Sequence, residues 1–164
     1  MVTLMYTIDG GILTMQSAWN GPPGQMVQAL GKCFHPDTKV KLKNGTIALM
    51  KDINLGDILE DGSVVESTMK IDNKLKPIPM YKIEGRGVNG EDIYVTGTHL
   101  VFDEKSKQFI NVSDYANAIK TDIMPESFCC LITSTHNIKI DNELFWDWED
   151  HFIKSRRPFF WNWF

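Results

Sequence analysis

Residues 33–150 predict an all-β fold, and three observations carry that expectation. Short runs alternate between apolar and polar residues, turn-forming pairs separate them, and the longest helix-like pattern spans only residues 113–119. Lys39-Val40-Lys41-Leu42 alternates, Asn44-Gly45 is a strong two-residue hairpin signal, and Thr46-Ile47-Ala48-Leu49 supplies the returning strand. Further turns are expected at Leu55-Gly56-Asp57, Asp61-Gly62, Asn89-Gly90 and Asp141-Asn142. Between them the alternation predicts strands over residues 63–69, 80–83, 93–95, 100–102 and 130–133. The one helix expected there is residues 113–119, with Ser113 as its N-cap. No repeat of fixed period and no low-complexity segment interrupts the pattern.

The two ends differ from this middle. Residues 1–32 read as an apolar arm: no basic residue precedes Lys32, and Asn20-Gly21-Pro22-Pro23-Gly24 interrupts the segment. Two prolines in a row fix two φ angles and remove two donors, so a helix fits on either side of them but not through them, with residues 25–31 able to form a turn or two. The arm's apolar content calls for packing against its own domain, another chain or a membrane surface. Residues 151–164 form an aromatic, basic tail, and four of the five tryptophans lie beyond residue 144. Lys154, Arg156 and Arg157 ahead of Phe-Phe-Trp-Asn-Trp-Phe suit an interfacial anchor, but six residues cannot span a bilayer, so burial against protein is the favoured reading. The expected division is therefore an arm (1–32), a β domain (33–150) and a tail (151–164).

At 164 residues with 43% apolar and 23% charged side chains, the chain suits one globular domain with appendages. A net charge of -4 offers no footprint for a phosphate backbone, so nucleic acid is not an expected partner. The start of the chain fits neither a signal peptide nor a membrane span, and the expectation is a protein that is not secreted. Three cysteines, Cys33, Cys129 and Cys130, are too few and odd in number for a disulfide framework. Glycine-rich nucleophile turns, phosphate loops and dinucleotide fingerprints are absent, so no cofactor is expected. Cys33, His35, His99 and Cys129 lack the closely spaced ligand pairs of zinc sites, and no metal is expected either.

Chemistry concentrates at Cys33, which opens the β region directly after the arm. A thiolate there can attack the Lys32 carbonyl and turn the peptide bond into a thioester. An amide nitrogen leaves poorly, so the shift needs a group to polarise the bond and a proton for the nitrogen. Thr96-Gly97-Thr98-His99, at the end of a predicted strand, supplies a hydroxyl and an imidazole three residues apart. Each residue also has a plain structural reading, Cys33 as a small buried hydrophobe and His99 as a satisfied core side chain. Their conjunction is what favours catalysis.

Three blocks in order resemble the Hint domains shared by hedgehog carboxy-terminal domains and inteins. Cys33-Phe34-x-Pro-x-Thr38 with Val40-x-Leu-x-Asn-Gly45 and Leu55-Gly56-Asp57 is similar to the first, Thr96-x-x-His99 to the second, and Cys129-Cys130 with His136 to the third. The resemblance implies a pseudo-twofold β fold that gathers Cys33, Thr96 and His99 in a central cleft. It implies Cys33 as nucleophile, His99 as proton donor to the leaving nitrogen and Thr96 as hydrogen-bonding partner of the scissile bond. Cys129 and His136 would assist thioester exchange, with Cys130 the alternative to Cys129, or both cysteines would simply pack a strand. His136-Asn137 is followed by Ile138 rather than by a Cys, Ser or Thr, so cleavage of the Lys32–Cys33 bond is expected without full splicing, the chain acting once on its own flank. For a sterol-directing carboxylate, Asp72 is a candidate by location alone.

Trp19-Asn-Gly-Pro-Pro-Gly-Gln-Met26 and the closing Asp147-Trp-Glu-Asp150 resemble Hint-bearing proteins of large DNA viruses. That resemblance implies a virion or the cytoplasm of an infected cell. It also supplies the alternative function, a minor capsid or cement component whose arm and tail bind other protein subunits or a membrane surface.

Overall fold

The structure, a computed structural model, describes two strands in the arm, residues 32–75 and residues 77–147. The expected helical turns at 25–31 and the whole aromatic tail lie outside the described residues. Strands β1 (Thr3–Asp9) and β2 (Ile12–Ala18) form an antiparallel hairpin. Thr3–Asp9 and Ile12–Ala18 are thus paired strands and not the short helix the sequence allows ahead of Pro22. Thr3, Tyr6, Thr7, Ile8, Ile12 and Thr14 favour extended backbone.

The middle of the chain is all β. β3 (Lys39–Lys41) and β4 (Ile47–Leu49) make the expected hairpin. Its loop is one residue longer than the two-residue Asn-Gly turn: Gly45 N–H donates to Leu42 O, Leu42 N–H donates to Thr46 O, and Gly45 takes φ +88°. This is a type I turn closed by a left-handed glycine, and Asn44 Oδ1 adds a bond from Thr46 N–H at 2.9 Å. β5 (Val65–Asp72), β6 (Met80–Ile83), β7 (Ile93–Thr96), β8 (Leu100–Asp103) and β9 (Gln108–Asn111) follow.

Residues 113–119 do not form the expected helix. A 3-10 turn covers Val112–Asp114 and β10 (Ala118–Lys120) pairs antiparallel with β6. Seven residues are too few to sustain a helix alone, and tertiary bonds decide the matter. Val112 N–H donates to His99 O, Ser113 N–H to Gly97 O, and buried Tyr115 gives its hydroxyl to Glu143. The last strands are β11 (Ser127–Thr133), β12 (Asn137–Ile140) and β13 (Glu143–Trp146).

The larger sheets run β1-β2-β5-β11, β10-β6-β7 and β12-β13-β8-β9. Phe34 stitches the first two together by bridging Cys129 of β11 on one side and Val95 of β7 on the other. Around it lies one core that includes Phe34, Met69, Ile83, Val95, Phe128 and Phe145. Among the described residues no helix is long and apolar enough to cross a membrane.

Candidate active site

Cys33 enters the site as part of a three-residue extended segment between β11 and β7. Phe34 and Cys129 exchange both backbone hydrogen bonds, at 2.7 and 2.9 Å, while His35 N–H reaches Tyr94 O and Thr96 N–H reaches Cys33 O, each at 3.0 Å. Lys32, Cys33 and Phe34 are all buried. The bond between Lys32 and Cys33 therefore sits in the interior of a sheet, where its position is fixed from both sides.

Thr96 ends β7 and meets that bond directly. Cys33 N–H donates to Thr96 Oγ1 at 3.0 Å. The turn that follows brings His99 back, closed by His99 N–H on Thr96 O at 3.2 Å and tied to the Val112 turn by the bonds on Gly97 O and His99 O. Gly97 has to be glycine here: a Cβ would stand 2.6 Å from Cε1 of Tyr81. The Thr96-x-x-His99 spacing is thus a tight turn whose two polar side chains face the chain entering at Cys33.

His99 is wholly buried, with Phe34 at 4.6 Å and Phe145 at 5.5 Å between ring centroids. Its Nε2 lies 2.6 Å from Trp146 O. A carbonyl only accepts, so Nε2 carries the proton and Nδ1 is the basic nitrogen, buried without a hydrogen-bond partner. Burial pushes the pKa of the ring down to about 4, and the Lys32 ammonium adds to this against the pull of the Trp146 and Cys33 carbonyls. His99 therefore rests as neutral imidazole at neutral pH, ready to accept a proton before it can give one.

The cysteine pair resolves by strand alternation. Cys129 faces Lys70, Lys51 and Asp37, and burial lifts its pKa to about 11. Cys130, one residue on, is the thiol that interacts with Cys33. In antiparallel pairing, the neighbours of a doubly bonded pair approach most closely, with Cα atoms about 4.5 Å apart; Cys33 and Cys130 flank the Phe34–Cys129 pair in this way. Of the two candidates for the second cysteine, Cys130 and not Cys129 stands at the nucleophile. Burial first, then Cys33 and the charge of Asp147, raise the Cys130 pKa well above its ordinary value.

His136 sits in a left-handed turn (φ +61°) with Nδ1 3.0 Å from Asp147 Oδ2. The same oxygen accepts Thr133 N–H at 3.0 Å, and Asp147 N–H donates to His136 O. His136 thus braces Asp147, whose charge acts on the Cys130 thiol. Asp147 and the Trp146 carbonyl are parts of this candidate site that the sequence does not single out. The signal lay in the alternation of Glu143, Phe145 and Asp147, all buried along one face of β13 and its extension. Asp72 is exposed at the end of β5, its Oδ1 accepting Lys74 N–H, three positions beyond Met69, the partner of Cys130. Among the described residues no three His, Cys, Asp or Glu side chains gather as a metal site.

No protein-family model matches the chain, and no curated protein matches it in sequence. Solved structures do. The crystal structure of the gp41-1 intein aligns with a TM-score of 0.53 at 16% identity, covering 70% of this chain and 98% of that one. The MchDnaB-1 intein aligns with a TM-score of 0.54 at 14% identity, covering 70% of this chain and 99% of that one. The fold is the Hint-type fold of inteins.

Proposed function

We propose that this Hint-type domain processes itself by an N-to-S acyl shift at Cys33, breaking the Lys32–Cys33 bond without splicing. The Cys33 thiol gives its proton to His99 Nδ1 and its sulfur attacks the Lys32 carbonyl carbon. The C–N bond then breaks, the proton passes from His99 to the Cys33 nitrogen, and Lys32 is left as a thioester on Cys33. Water attacking that thioester yields a Lys32 carboxylate and regenerates the Cys33 thiol. The observation that carries the reading is the 3.0 Å bond from Cys33 N–H to the Thr96 hydroxyl, with the buried His99 ring close enough to feel the Cys33 carbonyl.

Two features support the details. The Trp146 carbonyl holds Nε2–H and so stabilises the imidazolium formed midway, which suits His99 to carry the proton from sulfur to nitrogen. Restriction to one bond rests on Asn137, which begins β12, its carbonyl accepting the Thr133 hydroxyl at 2.8 Å, so the chain runs on into a strand there.

The test is intact-mass analysis of purified protein with and without dithiothreitol, beside Cys33→Ala. A thiol-accelerated split between Lys32 and Cys33 that vanishes in the variant is expected. A wild-type chain left whole under every condition sinks the reading.

A further inference from the structure

The arm is joined to the rest of the fold by more than one peptide bond. In the β1–β2 hairpin Thr3 stands opposite Ala18 and Asp9 opposite Ile12. β2 lies parallel to β5, with Ile12, Leu13, Thr14 and Met15 opposite Thr68, Met69, Lys70 and Ile71. The other edge of β5 is taken by β11, and β11 in turn pairs Cys129 with Phe34, next to Cys33. Going across the sheet from β2, the order is β5, β11 and then the strand segment that holds the scissile bond. At strand spacings of about 4.8 Å, β2 lies three spacings, or about 14 Å, from that bond. Breaking the bond leaves the β2–β5 ladder untouched.

We propose that the edge of β5 opposite β11 is a docking site for the arm, keeping residues 1–32 on the domain after the chain is cut, so that the product is a nicked two-chain protein. The inference rests on the cleavage reading for the origin of the nick, but the docking does not depend on it. A lone two-stranded hairpin is marginal in water, so the detached arm would lose its structure, whereas on β5 its second strand has partners on both sides. Departure would also strip β5 of its neighbour and leave a row of unpaired N–H and C=O groups at a sheet edge. This is strand addition, with the occupant supplied by the same chain. Whatever nucleophile resolves the thioester is then installed on a segment that stays with the domain.

The docking is tested in a Cys33→Ala background carrying a site-specific protease sequence inserted between Gly21 and Pro22. After protease treatment, size-exclusion chromatography with intact-mass detection is run in native buffer and in urea. The expected result is one native peak containing both fragments, which separate only in urea. Separation in native buffer overturns the proposal. β2 has strands on both sides, so successive N–H groups along it donate to opposite neighbours, and Leu13→Pro with Thr14→Pro removes one ladder donor on each. The arm should then leave the native peak on nicking, and its retention in that variant overturns β5 as the docking edge. Dithiothreitol treatment of the wild type is run beside these. If that chain stays whole, the cleavage reading fails while the protease result still decides the docking.

Discussion

Lowering the pH from about 7.5 to about 5 destabilises the folded chain by about 2 kcal/mol through His99 alone. In the fold the ring titrates at about 4, chiefly because it is buried, against an ordinary value of 6.5. The unfolded chain therefore takes up a proton that the folded chain refuses anywhere between those two values. His99's contribution is present in full above 6.5, is lost as the pH falls, and shrinks no further below about 4. The whole interval corresponds to about 3 kcal/mol, of which about 2 kcal/mol has been lost by pH 5. The assay is urea unfolding across this range for Cys33→Ala, which keeps the chain whole, and for the same variant with His99→Gln. Glutamine keeps an N–H for the Trp146 carbonyl but does not titrate, and the other ionisable groups are common to both chains, so their background slope cancels. The gap between the two stabilities should narrow or reverse by about 2 kcal/mol from neutral pH to pH 5. Parallel curves would refute the assignment of His99 as a buried neutral imidazole, and with it the proton-accepting role of Nδ1.

Thr96→Val should slow thiol-induced cleavage at least about tenfold, since the hydroxyl on the Cys33 nitrogen is lost, and Thr96→Ser should restore most of the rate, read by intact mass over time. Gly97→Ala drives a Cβ into the Tyr81 ring and should cost about 2 kcal/mol in urea unfolding, with Tyr81→Leu recovering part of it in the double variant. Asp147→Leu leaves Thr133 N–H and the His136 ring without their shared acceptor and should cost about 3 kcal/mol, while Asp147→Asn, which keeps an oxygen in place, should cost less than half as much.

Where local residue chemistry decides the outcome, the sequence reading and the structure agree. β6 covers Met80–Ile83 as the alternation predicts, and Gly45 takes the left-handed φ that its turn requires. Where pairing decides, they part. Ser113 begins a credible helix on its own, but Val112 and Ser113 give their N–H groups to the Thr96–His99 turn, and Ala118–Lys120 finds an edge on β6. Cys129 and Cys130 are equivalent until Phe34 chooses one of them as its backbone partner and so turns the other thiol toward Cys33. Asp147 looks like one more acidic residue in a tryptophan-rich run; only the return of β13 alongside β8 carries it into the interior beside Thr133 and His136. The Trp146 carbonyl that fixes the His99 tautomer is a backbone atom, which no pattern of side chains announces.

In the proposed cleavage, the placement of the cut follows from one substitution in the hydrogen-bond ladder. In the interior of a sheet each backbone N–H ordinarily donates to a carbonyl, and such a bond only stabilises the amide as it stands. Phe34 and His35 obey this rule, donating to Cys129 O and Tyr94 O. Cys33, one residue earlier, donates to a hydroxyl instead. A hydroxyl accepts from the amide N–H while the bond is intact and can turn its own proton toward the nitrogen once that nitrogen gains a lone pair on becoming an amine. A carbonyl in that place would resist the change, because it has no proton to offer. The ladder thus holds Cys33 rigidly through its carbonyl on Thr96 N–H and leaves its nitrogen on the one acceptor able to reverse roles. Rigidity and reactivity are divided between the two ends of the same residue, and Thr96 serves both.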